Sequence, residues 1–204
     1  MLIPHPDIGY IVNKVFLFQE LPRQSHWTIV KCVMHYLKCT PDYGLYHNAQ
    51  PQPSRLVGYA DTDFSGDLDN CKSRTATKQG CLMTSTTVAK LVALAESTKE
   101  TTWLCRLLKS LDAEQELPTI VYCDNQAAIA LIKYPEYHRR TKHIDMKYFA
   151  ICEQYENRFM DFQYIHTNEK IVDTLTKSLP CDAFQRLRSL LGLRQFTKNE
   201  WETR

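Results

Sequence analysis

The stretch Thr119-Ile120-Val121-Tyr122-Cys123-Asp124-Asn125-Gln126-Ala127-Ala128-Ile129-Ala130-Leu131 contains the change of pattern on which the fold depends. Its first five residues carry no charge and are mostly β-branched or aromatic, which predicts a strand buried on both faces. From Asn125 onward, small and apolar residues recur at helical spacing, so a helix follows the strand directly. Asp124 is therefore expected at the carboxyl end of a strand, at the edge of a sheet.

An acidic residue in this position has two interpretations. Asp124 or Asn125 can cap the helix by accepting a hydrogen bond from an N–H group of its first turn, which contributes about 1 kcal/mol. Alternatively, Asp124 can be a metal ligand, because ligands of open α/β sheets collect at the carboxyl ends of strands. The stretch by itself does not decide between them.

Composition limits the class of protein. With 204 residues, 44% of them apolar and 24% charged, the chain is expected to be globular, as one domain with an extension or as two small units. The formal net charge is +2, so affinity for nucleic acid requires local clusters of basic residues. The eight cysteines lack zinc-site spacing and indicate an intracellular protein, cytoplasmic or nuclear. No signal peptide and no long apolar run is present, so no membrane association is expected.

Hydrophobic periodicity predicts alternating helices and strands around this centre. In chain order the patterns predict a helix over 6–18, a helix from after Ser25 to before Thr40, a linker over 48–54, a strand over 55–63, a helix over 87–111, the strand and helix around Asp124, a helix over 144–157, a strand over 159–165, and short helices over 171–177 and 182–191. Trp27 and Trp103 occur at helical spacing and are predicted to be core residues.

Three aspartates occupy comparable positions. Asp61 ends one predicted strand, Asp124 ends another, and Asp173 lies on a late short helix. Carboxylates that converge from separate elements suit a hard divalent cation, because Mg²⁺ prefers oxygen ligands in octahedral geometry. Their spacing in the sequence does not prove that they meet.

Four ordered motifs resemble a known family. They are Gly58-Tyr59-Ala60-Asp61-Thr62-Asp63, Tyr122-Cys123-Asp124-Asn125-Gln126-Ala127-Ala128-Ile129-Ala130-Leu131, Arg140-Thr141-Lys142-His143-Ile144-Asp145 and Val172-Asp173-Thr174-Leu175-Thr176-Lys177-Ser178-Leu179-Pro180. These motifs closely resemble the ribonuclease H domain of copia-type retrotransposon Pol polyproteins. The segment from His5-Pro6-Asp7-Ile8-Gly9-Tyr10 through Tyr36-Leu37-Lys38 resembles the connecting segment just upstream of that domain.

The resemblance implies a fold and a chemistry. It implies an α/β fold in which a ribonuclease H-like mixed sheet is flanked by helices. It further implies that Asp61, Asp124 and Asp173 are catalytic residues that hold Mg²⁺, or Mn²⁺ in its place, for hydrolysis of RNA in an RNA–DNA hybrid. Two metal ions roughly 4 Å apart would activate water and stabilise the leaving oxygen.

The sequence departs from the family pattern at the fourth carboxylate. The family has a glutamate early in the long helix, whereas this chain has Lys90 in the segment Thr87-Val88-Ala89-Lys90-Leu91. Glu96 and Glu100 lie on other sides of the helix and cannot replace it, because each residue advances by about 100°. Lys90 is expected to pair with Asp61 or Asp124, to take the place of the metal and to impair hydrolysis.

A second departure is a shortened segment between Lys72-Ser73 and Lys78-Gln79, where the family carries most of a β-hairpin. The sheet is therefore expected to lack part of that hairpin and to expose an edge near Asp61.

The basic loop before the helix over 144–157 is a candidate nucleic-acid site. Arg139, Arg140, Lys142 and His143 can contact phosphates there, or they can form an ordinary solvated loop. His166 lies seven residues before Asp173, where a surface role is favoured over a catalytic one.

These observations give one leading interpretation and one alternative. The leading interpretation divides the chain into a helical connection segment over 1–47, a linker over 48–54, a ribonuclease H-like domain over 55–180 and a C-terminal helix and tail over 181–204. Its expected partners are an RNA–DNA hybrid or other nucleic acid and the rest of a Pol polyprotein. The alternative is a non-catalytic nucleic-acid-binding or scaffold remnant.

Overall fold

The computed structural model describes residues 5–46, 55–61, 86–134 and 145–197, with the side chains of 145–147 excepted. These residues form an α/β protein that divides into two compact units. The first unit combines residues 1–49 with 173–204, and the second consists of residues 50–172. No helix within the four described ranges is long and apolar enough to cross a membrane.

The described elements are numbered in chain order. They are α1 (Gly9–Phe16), α2 (Gln24–Cys39), β1 (Tyr43–Leu45), β2 (Val57–Tyr59), α3 (Thr86–Ser110), β3 (Thr119–Cys123), α4 (Gln126–Lys133), α5 (Asp145–Glu156), β4 (Met160–Tyr164), α6 (Asp173–Thr176), α7 (Cys181–Leu190) and β5 (Leu193–Gln195). Two short 3₁₀ turns, Pro6–Ile8 and Thr167–Glu169, complete them.

The second unit is built on a parallel three-stranded sheet with the order β2-β3-β4. Tyr59 of β2 lies opposite Tyr122 of β3, which in turn lies opposite Gln163 of β4. Helix α3 packs against β3, α4 and α5. The largest side chains of the resulting core are Leu91, Leu94, Val121, Ile129, Ile132, Tyr148, Ile151, Met160 and Phe162. Because the three strands run the same way, their carboxyl ends lie along one edge of the sheet.

The first unit joins the two ends of the described chain. Strand β1 pairs antiparallel with β5, so that Tyr43 lies opposite Gln195. The hydroxyl of Tyr36 donates to the buried carboxylate of Asp7, and the guanidinium of Arg188 donates to the Tyr36 hydroxyl at 3.0 Å. Burial and the hydrogen bond to Asp7 raise the pKa of Tyr36 to about 12, although Arg188 acts in the opposite direction. Hydrogen bonds thereby connect Arg188 of α7 to Tyr36 of α2, and Tyr36 to Asp7 of the 3₁₀ turn Pro6–Ile8.

The α/β class is confirmed, and each predicted helix and strand with described residues contains an observed element, although β2 spans only Val57–Tyr59 of the strand predicted over 55–63. The described residues do not form the predicted mixed sheet. The three described strands of the second unit are parallel, and the antiparallel pair β1-β5 belongs to the first unit. Strand β3 is buried on one face and half-buried on the other, although its apolar run predicted burial on both. The shortened hairpin segment falls within 62–85, outside the described residues.

The prediction that Trp27 and Trp103 are core residues is wrong, and two of the observed strands are not predicted. Trp27 is 54% exposed and Trp103 is 57% exposed. Helical spacing places both on apolar stripes, but it does not say whether another element covers that part of the stripe. Strands β1 and β5 are three residues each, too short for an alternating pattern to indicate them.

Candidate functional site

The carboxylates of Asp61 and Asp124 lie at the same edge of the parallel sheet. Asp61 follows β2 by two residues and Asp124 follows β3 directly. The amide of Ala60 donates to the Tyr122 carbonyl at 2.8 Å, which extends the pairing of the two strands up to the acidic residues. Asp61 is buried, with 5% exposure, and Asp124 is half-buried. The predicted proximity of these two aspartates therefore follows from adjacent parallel strands.

Asn125, and not Asp124, caps helix α4. The Asn125 side chain accepts a hydrogen bond from the Ala128 amide at 2.9 Å, and its backbone is extended as an N-cap requires. Since the cap is provided by its neighbour, the Asp124 carboxylate is available for contacts at the edge of the sheet.

Lys90 extends from the second turn of α3 to both carboxylates. Its ammonium donates to Asp61 Oδ1 and lies 2.9 Å from Asp124 Oδ1. The side chain of Lys90 is 11% exposed. The pairing predicted for Lys90 is therefore confirmed, and it involves both aspartates at once.

A second lysine, which sequence reasoning missed, enters the same site. Lys170 follows the 3₁₀ turn Thr167–Glu169, and its Nζ lies 2.5 Å from Asp61 Oδ1 and 2.9 Å from Asp124 Oδ1. Its side chain is completely buried. A lysine in the polar run Thr167-Asn168-Glu169-Lys170 carries no sequence signal for burial, because such runs are typically solvated. We call Asp61, Asp124, Lys90 and Lys170 the four-charge cluster.

The lysines hold the two carboxylates in their charged form. Burial raises the pKa of Asp61, but the positive charges of Lys170 and Lys90 outweigh burial and place that pKa well below its usual range. The pKa of Asp124 is likewise lowered, because its contacts with both lysines exceed the effect of burial. Both side chains are therefore expected to be carboxylates near neutral pH.

The two lysines respond differently to this environment. Burial lowers the pKa of Lys90, but the charge of Asp61 and its hydrogen bonds raise it to a net value above the usual range. Burial also lowers the pKa of Lys170, and there the attraction of Asp61 does not fully compensate because Lys90 repels it. The site therefore stabilises the charged form of Lys170 less than the charged form of Lys90.

The cluster as folded does not fit a divalent cation. Two ammonium groups balance two carboxylates, so no net negative charge is left to attract a metal ion. Asp124 Oδ1 lies 2.9 Å from each ammonium group, so both lysines already occupy its surroundings. Among the described residues, no group of three or more His, Cys, Asp or Glu side chains is arranged to hold a metal.

Asp173, the third predicted ligand, belongs to the first unit. It begins α6, is buried with 4% exposure, and pairs with Lys177 at 3.1 Å. The other two aspartates belong to the second unit. A common site for all three therefore stays a prediction.

The remaining candidates divide into described and undescribed residues. Glu96 is paired with Lys99 at 3.5 Å, and Glu100 is exposed. His166 is exposed, and its Nδ1 accepts from the Asn168 amide at 3.2 Å, which is the surface role favoured for it. The basic residues Arg139, Arg140, Lys142 and His143 lie outside the described ranges, so their role stays a prediction.

Fold and site together define an α/β protein with a parallel sheet and two carboxylates, one buried and one half-buried, that are neutralised by lysines. The chain is 38% identical over 208 aligned positions to the retrovirus-related Pol polyprotein from transposon TNT 1-94 of Nicotiana tabacum. It is 32% identical over 202 positions to those from transposons RE2 and RE1 of Arabidopsis thaliana. The chain is homologous to the copia-type retrotransposon Pol polyproteins and corresponds to a region of such a polyprotein.

These alignments cover nearly all of this chain and a small part of each relative. They include 95% of the chain for the tobacco polyprotein and 92% for the two others, but only 15% and 14% of the relatives' own lengths. No family model matches the chain, and no solved structure matches it.

Proposed function

We propose that the chain is the ribonuclease H-like region of a copia-type Pol polyprotein, preceded by its connecting segment, and that it has lost metal-dependent hydrolysis. The observation that carries this proposal is the position of the Lys90 ammonium, which contacts both Asp61 and Asp124. The four motifs quoted above supply the assignment to a ribonuclease H-like region. The two acidic residues at the ends of adjacent parallel strands agree with it.

The loss follows from electrostatics. Hydrolysis by this class of enzyme depends on divalent cations bound between carboxylates. Two unit charges about 4 Å apart interact by about 4 kcal/mol at an effective dielectric constant of 20. Because Lys90 stands where the family has a glutamate, the attraction of that carboxylate for the metal is lost. The Lys90 ammonium also repels the metal by an amount of this size for each positive charge that the metal carries. With the lysines in place, Mg²⁺ or Mn²⁺ is not expected to bind the Asp61–Asp124 pair at millimolar concentration.

A test of this proposal is cleavage of end-labelled RNA in an RNA–DNA hybrid by the purified chain with Mg²⁺ or Mn²⁺. We expect no cleavage with either metal. Asp124→Asn is the control for contaminating nucleases, because any activity that persists in this variant does not come from the site. Cleavage by the unaltered chain that disappears in Asp124→Asn would show that the lysines do not block hydrolysis and would refute the proposal.

We further propose that an intracellular RNA–DNA hybrid remains the ligand of this region. The proposal rests on the resemblance and on the basic residues Arg139 and Arg140. We expect binding of a fluorescent hybrid to weaken with rising salt and to weaken further in Arg139→Ala/Arg140→Ala, because phosphate contacts release counterions. Lys99→Ala, which removes an exposed lysine of α3, is the matched control and should have little effect. Absence of hybrid binding would favour a scaffold role within the polyprotein.

A further inference from the structure

Lys170 is held in the four-charge cluster by its own segment of backbone. Its amide donates to the Thr167 carbonyl at 3.3 Å, closing the 3₁₀ turn that precedes it. Its side chain has no exposed surface, whereas that of Lys90 is 11% exposed. The ammonium of Lys170 is therefore more completely shielded from solvent than that of Lys90.

Both lysines contact the same two oxygen atoms. Asp61 Oδ1 and Asp124 Oδ1 each lie within ion-pair distance of Lys90 Nζ and of Lys170 Nζ. A cation bound to those oxygens needs to approach each of them to about 2.1 Å. Such a cation would compete with both ammonium groups, and removal of one of them leaves the other in place.

We propose that Lys170 blocks the Asp61–Asp124 pair independently of Lys90, so that a carboxylate restored at position 90 does not by itself restore cation binding. This inference rests on the proposed function, because it concerns the same pair of aspartates. It adds a second lesion to the site, one that lies 80 positions from the first in the sequence and on a different element. Reversal then requires two substitutions together.

The test is Mn²⁺ binding, measured by the loss of the free Mn²⁺ signal in electron paramagnetic resonance. The variants are the unaltered chain, Lys90→Glu, Lys170→Gln and Lys90→Glu/Lys170→Gln. We expect the double variant to bind Mn²⁺ at least about a hundredfold more tightly than either single variant, because either remaining ammonium still repels the ion. Adding Asp124→Asn to the double variant should abolish this gain and so place the ion at the pair.

The outcomes separate the inference from the function on which it rests. Binding by Lys90→Glu alone, as tight as by the double variant, would overturn the independent role of Lys170 and leave the proposed function intact. Binding by the unaltered chain that is lost in Asp124→Asn would instead overturn the proposed function. Absence of binding in the double variant would also refute the inference, because removal of both lysines would then have released no site.

Two further variants control for folding and for general loss of a lysine. Lys90→Gln/Lys170→Gln removes both ammonium groups without adding a third carboxylate, and it should also bind Mn²⁺ more tightly than either single variant. Lys133→Gln removes a lysine paired with Asp161 at 2.9 Å and should leave Mn²⁺ binding unchanged. Circular dichroism of each variant, with and without Mn²⁺, establishes that the binding measured is that of folded protein.

Discussion

Asp61 and Lys170 have fully buried side chains, so their charges are compensated within the four-charge cluster and not by solvent. Asp61→Asn leaves Asp124 as the one carboxylate of the four-charge cluster, facing two ammonium groups. Removal of one partner from a buried pair costs about 3–5 kcal/mol, since the other charge stays buried. We expect the free energy of unfolding to fall by about 3 kcal/mol, at the lower end of that range because Asp124 remains. Urea denaturation followed by circular dichroism measures this loss.

Asp161→Asn is the matched control for that prediction. Asp161 also pairs with a lysine at 2.9 Å, but the side chains of Asp161 and Lys133 are each 26% exposed. An ion pair in contact with water contributes at most about 1 kcal/mol. Equal losses in the two variants would show that burial does not determine the value of the Asp61 contacts.

Sequence reasoning predicts three of the four members of the four-charge cluster at this scale. Asp61 and Asp124 were found because strand ends have a recognisable pattern, and Lys90 because it replaces a residue type that the family motif requires. Lys170 was missed because its burial depends on how the segment after β4 folds back over the sheet edge, which no local pattern records. The burial of Lys170 can be recognised only once the positions of Asp61 and Asp124 in the folded protein are known.

Gly58 of β2 lies close to Val121 of β3 and to Thr101 of α3. A Cβ atom added there would lie 3.1 Å from Val121 Cγ2 and 3.3 Å from Thr101 Oγ1. Extra volume in a packed contact typically costs about 1–3 kcal/mol. We expect Gly58→Ala to lower the free energy of unfolding by about 1–2 kcal/mol, since the neighbours have to give way by a few tenths of an ångström.

A double-mutant cycle tests whether that contact is the cause. Val121→Ala removes the methyl group that the new Cβ would approach most closely. The double variant Gly58→Ala/Val121→Ala should lose about 1 kcal/mol less than the two single losses together. Strict additivity in thermal or urea denaturation would count against the contact with Val121.

Elements were predicted well where a periodic apolar pattern extends over several turns or over a full strand. Helices α2 and α3 and strands β3 and β4 follow such patterns and occupy the expected positions. What covers their faces was not predictable, as the exposed indole of Trp103 on α3 demonstrates. Strands β1 and β5 exist through pairing with each other, and that pairing depends on tertiary structure more than on local propensity.

At the scale of the whole molecule, the last residues of the described chain belong structurally with the first. Arg188 of α7 contacts Tyr36 and stacks on Tyr43, with its guanidinium 4.3 Å from that ring. Removal of residues 181–204 is expected to accelerate amide exchange in α1 and α2, because α7 and β5 are lost from the first unit. Exchange in β3 and β4 of the second unit should stay close to that of the full chain. Hydrogen–deuterium exchange followed by mass spectrometry resolves these elements.

A shorter truncation, which removes only residues 198–204, is the control for that experiment. It leaves α7, β5 and the contacts described above in place, so we expect exchange in both units to be unchanged. Acceleration in β3 equal to that in α2 would indicate that the two units do not respond separately. The division into compact units places residues 173–204 with residues 1–49. The boundary at residue 180 comes from motif matching, which identifies related segments and not their packing partners, and it stays a prediction.

The pairing of β1 with β5 also fixes an order of events on the ribosome. Tyr43 meets Gln195, which is synthesised about 150 residues later, whereas the strands of the second unit are all complete by Tyr164. Chains fold as their segments emerge, so the second unit has its full set of strands before the first unit has its last partner. Synthesis of the first unit therefore starts before that of the second unit and ends after it. Until β5 has been made, the apolar surfaces of α1 and α2 have to be protected from other chains by something other than the completed first unit.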